Sequence, residues 1–309
     1  MNALLLLKKP SGISSTRLGS YVKRVISINF LDKKKLKLGH VGTLDQEASG
    51  LLLLLTGSAT RFQSHLLDFD KVYSGYIRLG FSTSTDDIYG DVLEEIGADM
   101  LKDSSTWPFH INKIISLLGG LRTQLAPVVS AKKINGVSSY KRVRRGENVE
   151  RKSKEVSLDV IDLRFVEQDR MYYKIKVSSG FYVRSFAREI GEILGTGAVA
   201  ETIHRDSIGP FILEDSVSLE ELGSDISLFS NEMKDYSWCL SMNDIAEVLG
   251  YSSRILSDAD SVARFKQGQM SIISAMDHDE GFTIVNDISN NPLGVIEKRG
   301  EDSRFCFVF

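Results

Sequence analysis

Two runs of leucine constrain this chain more than any other feature. Residues 3–7 read ALLLL and residues 51–56 read LLLLLT. Neither alternates with polar residues, and both are far too short to span a bilayer. A continuous apolar run of this length fits a strand covered on both faces. Such strands need layers packed on either side of a sheet, and 309 residues suffice for that core and for two domains. The first run follows no basic stretch and meets Lys8 and Lys9 at once, so it reads as a core strand and not as a leader.

Weaker periodicities fill in the rest. Tyr73, Ile77 and Leu79 share one parity, and Tyr173, Ile175 and Val177 alternate with Tyr172, Lys174 and Lys176. Both segments suit half-buried strands. Phe186, Ile190, Ile193 and Leu194 fall on one helical face, stopped by Gly195 and Gly197. Residues 282–287, 293–298 and 305–309 are short strand candidates, with Asn290-Asn291-Pro292 as a turn between two of them. Strands and helices alternate without a regular βα repeat. The expected fold is therefore mixed α+β: a main domain over residues 1–250 and a small β-rich domain over residues 251–309.

Charge divides the chain more sharply than its net value of -3 suggests. Residues 1–205 hold 31 Lys+Arg against 22 Asp+Glu, or +9, and residues 206–309 hold 7 against 19, or -12. The basic charge is bunched in residues 122–154, where Arg122, Lys132, Lys133, Lys152 and Lys154 belong to a set of ten opposed only by Glu147 and Glu150. With Gly136, Gly146 and little apolar periodicity, this segment reads as a basic loop facing a polyanion. Lys33, Lys34, Lys35 and Lys37 add to the same surface. With 42% apolar residues and no segment of spanning length, the expected location is the cytoplasm. Cys239 and Cys306, which lack metal or redox spacing, suit a reducing compartment.

One carboxylate stands apart. GHVGTLDQEASGLLLLLTG, residues 39–57, holds Asp45 in a small-residue loop just before the second leucine run. A polar turn capped by Asp45 is one reading. A phosphate cradle is excluded because no Gly-Lys-Ser/Thr follows. The third reading is a catalytic carboxylate aimed by a buried strand, which requires partners elsewhere.

Several segments supply them. Lys9-Pro10-Ser11-Gly12-Ile13-Ser14-Ser15 resembles a KPxGxTS motif, and GHVGTLDQEASGLL resembles GHxGTLDPxAxGLL. Lys71-Val72-Tyr73, QLAPVVSAKKINGVSSY at 124–140 and SSGFYVRSFAREIGEILGTGA at 178–198 continue the series in order. Over residues 8–205 the chain resembles the TruB-type tRNA pseudouridine synthases. The resemblance implies a mainly antiparallel sheet of the pseudouridine synthase type and a PUA-like C-terminal domain. It also implies isomerisation of uridine 55 in the T-loop of tRNA, with no cofactor and no metal.

Under this resemblance Asp45 is the catalytic carboxylate, acting as the nucleophile at C1′ or as the base that removes a sugar proton. Arg184 pairs with it, and a guanidinium beside a carboxylate favours the ionised form. Tyr73 stacks on the flipped uracil and assists proton transfer at C5, although its parity alone would make it a core tyrosine. Tyr182 and Ile203 line the pocket, His40 contacts RNA, and Lys132 and Lys133 meet phosphates. Residues 124–152 would clamp the T-arm. The expected partner is tRNA alone, bound by a monomer with no guide RNA and no membrane. An RNA chaperone and a guide-dependent rRNA enzyme are the competing readings. Departures are Gln46 for proline, Ala126 for proline, Ser84 for aspartate, and Ile203-His204-Arg205 where the family has Leu-Arg-Arg. Loss of the proline after Asp45 removes one restraint on that loop.

Overall fold

The computed structural model describes residues 1–29, 36–127, 133–134, 137–138, 152–224 and 236–309. In chain order the strands are β1 (Ala3–Lys9), β2 (Leu38–Val41), β3 (Ser49–Thr56), β4 (Lys71–Leu79), β5 (Phe81–Thr83), β6 (Val92–Glu95), β7 (Gly120–Leu125), β8 (Lys133–Ile134) and β9 (Val137–Ser138). They continue with β10 (Ser153–Glu167), β11 (Arg170–Val177), β12 (Ala198–Ile208), β13 (Phe211–Ile212), β14 (Cys239–Ser241), β15 (Ser252–Leu256), β16 (Gly281–Asp287), β17 (Pro292–Arg299) and β18 (Asp302–Val308).

The main sheet runs β14-β1-β3-β12-β4-β11-β10-β7, with β2 beside β3 and β13 beside β12. Every pairing is antiparallel except β3 with β12. The two leucine runs lie side by side as β1 and β3, with Leu4, Leu5, Leu7, Leu51, Leu52, Leu53 and Leu55 fully buried. Each contributes about 1.5–3 kcal/mol relative to exposure, which explains why these strands occupy the interior of the sheet. Their outer layer includes the helix Ser15–Asn29, which inserts Leu18, Val22 and Ile26.

A second core forms where β4, β11 and β10 receive the helix Val183–Leu194 through Phe186, Ala187 and Ile190. β4 and β11 bury their odd-numbered residues, as their alternation requires. The helix ends at Gly195, whose φ of 71° is the left-handed turn that a residue without Cβ adopts freely. Between the two cores runs the parallel seam of β3 and β12, where Arg205 faces Gly50. A Cβ on Gly50 would lie 2.3 Å from the Arg205 carbonyl oxygen, and its φ is 106°. Only glycine allows that approach.

The acidic end of the chain folds as a separate four-stranded sheet, β15-β16-β17-β18, in which β15 and β16 are parallel. Its own core centres on Phe265, Ile273, Val285 and Ile296. The other face of this sheet packs on the first core: Phe307 meets Phe62 edge-on at 5.3 Å, and Ile284 and Val295 join the same cluster. Among the described residues, no helix is long and apolar enough to cross a membrane. Lys132, residues 33–35 and most of the basic segment 124–152 lie outside the described residues. Lys133 lies on β8, and its side chain is also outside them.

Candidate active site

Asp45 sits in the loop between β2 and β3, and the N-terminal motif fixes that loop from below. Lys9, 2% exposed, donates its ammonium to the carbonyls of Pro10 (3.0 Å), Gln46 (2.9 Å) and Ala48 (2.5 Å). The Ser15 hydroxyl donates to the Leu44 carbonyl at 3.0 Å and accepts from the Leu44 amide at 3.1 Å. The Gly12 amide donates to the Gln46 carbonyl at 3.0 Å. Asp45 is thus bracketed on both sides, and two bonds to the Gln46 carbonyl provide restraint at the position where proline is missing. Burial pushes the Lys9 ammonium down to about 8, against the opposing pull of Glu47 and Asp45.

Arg184 is the second residue of the helix Val183–Leu194, and its side chain is 6% exposed. Its Nε donates to Asp45 Oδ2 at 2.8 Å, and its Nη1 donates to the Thr85 carbonyl at 2.9 Å and lies 3.7 Å from Asp87 Oδ2. The Asp45 side chain remains 45% exposed. A buried guanidinium therefore aims a carboxylate whose free side is open, the geometry a reacting group needs.

That open side faces a cavity of about 450 Å³ lined by Asp45, Tyr73, Tyr182, Arg184, Ile203 and Arg205, among others. All six stand in segments named above, drawn together from loop 42–48, β4, the turn and first helical residues 178–184, and β12. His40 does not line the cavity. It hydrogen-bonds Thr43, which does, at 2.9 Å. Burial, assisted by Arg205, holds the His40 imidazole below its usual range.

Arg205 is the site residue that sequence reasoning missed. It is 1% exposed and donates to the carbonyls of Leu51 (2.8 Å) and Gly42 (2.9 Å) and to the Tyr73 hydroxyl (3.4 Å). One guanidinium thereby ties β3, the Asp45 loop and Tyr73 together. Its signal is its place in the Ile203-His204-Arg205 segment, where the family has Leu-Arg-Arg, although spacing alone does not distinguish it from a surface charge. Lys71 is a second such case: its ammonium donates to the Leu67 and Phe69 carbonyls at 2.6 and 2.5 Å. Burial first, then Arg205, lowers it to about 8.

The basic segment also needs a correction at its first end. Arg122 on β7 ion-pairs with Glu189 at 2.7 Å with both side chains largely buried, and Lys154 on β10 donates to the Ser179 carbonyl at 2.6 Å. The ion pair subtracts Arg122 from the surface facing a polyanion, whereas Lys154, bonded only to a carbonyl, keeps its charge on the exposed surface. Between them Gln124, 2% exposed, accepts from the Tyr182 amide at 2.8 Å and donates to the Tyr182 carbonyl at 3.1 Å. The stem of the basic segment is thus bonded directly to the turn that carries Tyr182 and Arg184.

The profile of the TruB family pseudouridylate synthase N-terminal domain matches residues 29–183. A tRNA pseudouridine synthase B from Nitrosomonas europaea is 34% identical over 265 residues, covering 85% of this chain and 80% of the relative. One from Corynebacterium efficiens is 37% identical over 227 residues, covering 72% of each chain. Among solved structures, a Cbf5-Nop10-Gar1 complex is similar in fold, with a TM-score of 0.60 at 20% identity, covering 96% of this chain and 78% of that one. An H/ACA RNP bound to a substrate RNA containing 2′-deoxyuridine gives 0.60 at 19% identity, covering 96% and 77%. Motif order, cavity geometry and relatives agree: the chain belongs to the TruB family of pseudouridylate synthases.

Proposed function

We propose that this protein converts uridine 55 in the T-loop of tRNA to pseudouridine, with Asp45 as the catalytic carboxylate. The observation that carries the reading is the Asp45–Arg184 pair at the mouth of a cavity walled by Tyr73. The reaction breaks the C1′–N1 bond, rotates the uracil and joins C1′ to C5. The proton displaced from C5 is lost and N1 regains one, so no redox group is required. Asp45 either attacks C1′, as in retaining glycosidases, or takes a sugar proton to give a glycal. Both routes need a carboxylate aimed at the sugar, and Arg184 fixes the direction of this one.

The target base must leave the T-loop stack, at a cost of a few kcal/mol. Stacking on an aromatic ring offsets roughly 1–3 kcal/mol of this, the role given to Tyr73. Tyr182 and Ile203 close the pocket, His40 contacts the RNA beside Thr43, and Lys132 and Lys133 meet backbone phosphates. The enzyme works as a monomer in the cytoplasm, gripping the T-arm with residues 124–152, while residues 251–309 form a PUA-like unit that steadies the main domain. The test is to map pseudouridine in an unmodified tRNA transcript incubated with the purified protein alone. Modification at position 55 supports this reading; a requirement for a guide RNA would replace it with the guide-dependent one.

A further inference from the structure

Tyr89 has no part in the chemistry just described, yet it stands beside it. The loop from Thr83 to Asp91 carries the Thr85 carbonyl and the Asp87 carboxylate that hold Arg184. Tyr89 projects from the same loop with 62% of its surface exposed, next to Ile88 at 39%. It lines a second, small cleft together with Asp45, Ala48, Asp87, Arg184 and Ile203. Asp45, Ala48, Arg184 and Ile203 also line the main cavity, so the two openings adjoin along the Asp45–Arg184 pair.

The ring is set on a stiff support. Asp87 Oδ1 accepts from the Thr85 hydroxyl at 2.7 Å and from the Tyr89 amide at 3.0 Å. The Asp87 carbonyl accepts from the Thr83 hydroxyl at 2.6 Å. The Ile88 amide donates to the Ala200 carbonyl at 3.1 Å, and the Ala200 amide donates to the Asp86 carbonyl at 3.0 Å, which locks the loop to β12. Asp86 holds a φ of 60° and pairs with Arg188 at 2.7 Å. An aromatic side chain with two torsions, carried on a backbone held in this way, loses little entropy when something flat lies on it.

The charges indicate what that is. Asp86 and Asp87 are answered by Arg188 and Arg184, and the cleft is also lined by Glu47 and by Glu201, which pairs with Arg170, so among the described residues it presents an apolar ring and no free cation for a phosphate. The cleft, at about 20 Å³, is too small to enclose a base, which must therefore lie against the ring from outside. Single-stranded RNA loops are bound in this way, through unstacked bases on aromatic side chains.

Resting on the proposed function, we infer that Tyr89 is a stacking platform for the nucleobase next to the target uridine, receiving it when the uracil enters the main cavity. Tyr89 is thus a substrate-binding residue at a second subsite that engages RNA through a base and not through phosphate.

The test uses the full-length protein, Tyr89→Ala and Tyr89→Phe, with a T-arm stem-loop RNA and with the same RNA made abasic on either side of the target. Turnover and RNA affinity are both measured. On intact RNA, Tyr89→Ala should lose about 5- to 100-fold in affinity and in kcat/KM, chiefly through KM, while Tyr89→Phe stays within about twofold. On RNA abasic at the contacted neighbour, wild type and Tyr89→Ala should bind alike, since the partner of the ring is gone. Equal affinities of wild type and Tyr89→Ala on intact RNA would overturn the inference, as would a loss that persists on both abasic RNAs. Absence of turnover by wild type would count against the proposed function, and the affinity comparison would still decide the role of the ring.

Discussion

Asp45 depends on residues that never face the cavity. Lys9 places a buried ammonium against three carbonyls, two of them in the Asp45 loop, and the Lys9→Met variant would keep the stem while removing every donor. Unsatisfied buried carbonyls of this kind make a loss of about 2–4 kcal/mol in stability the expected result in a denaturant titration. The Asp45 loop would loosen with it, so kcat should fall while KM changes little. An unchanged kcat would show that the loop is held by Ser15 and Gly12 alone. Asp45 and Arg184 were legible in the sequence because each stands inside a motif. Arg205 and Lys9 also stand in quoted segments, yet their bonding is not legible there: a buried cation satisfied by carbonyls from distant segments leaves no spacing to read, and only the folded chain shows which carbonyls converge.

At the scale of elements, the leucine runs and the alternation in β4 and β11 announced themselves because burial on one or both faces follows directly from pattern. The parallel pairing of β3 with β12 did not, since a seam set by the close approach of Gly50 to Arg205 involves positions 155 apart in the chain. The stem formed by β7 and β10 was likewise read as loop, because its charged residues mask a strand whose buried member is a glutamine. That glutamine couples the stem to the catalytic turn. Gln124→Ala removes both bonds to Tyr182 and should lower kcat about tenfold with the fold intact. Gln124→Glu, which retains the acceptor for the Tyr182 amide, should recover part of the loss. Equal activity of Gln124→Ala and wild type would mean that the turn holds its shape without the stem.

For the whole molecule, the acidic C-terminal sheet is seated on the basic catalytic half largely through aromatic packing, and His65 puts a titratable group in the joint. His65 bonds the Tyr251 hydroxyl at 2.8 Å and packs edge-on against Phe282 at 5.0 Å. Burial lowers the His65 pKa below 6.5, against the pull of Asp68 and Glu297. A histidine shifted down binds fewer protons folded than unfolded just below 6.5, so its contribution to stability is present above that pH and is lost as pH falls through the window beneath it. Thermal unfolding between pH 7.5 and 5.5 should therefore show a fall in wild type that His65→Gln reduces; identical slopes would remove His65 as the cause. The charge division of the chain carries no sign of this packing, because aromatic residues scattered over positions 62, 251, 282, 307 and 309 meet only in three dimensions. Both halves serve one claim, that Asp45 performs isomerisation in the cavity they support. The most direct measurement is pseudouridine mapping by mass spectrometry in an unmodified tRNA transcript, with wild type and Asp45→Asn assayed side by side. Pseudouridine at position 55 with wild type and none with Asp45→Asn, at similar tRNA affinity, is the expected result; comparable modification by both proteins would contradict it.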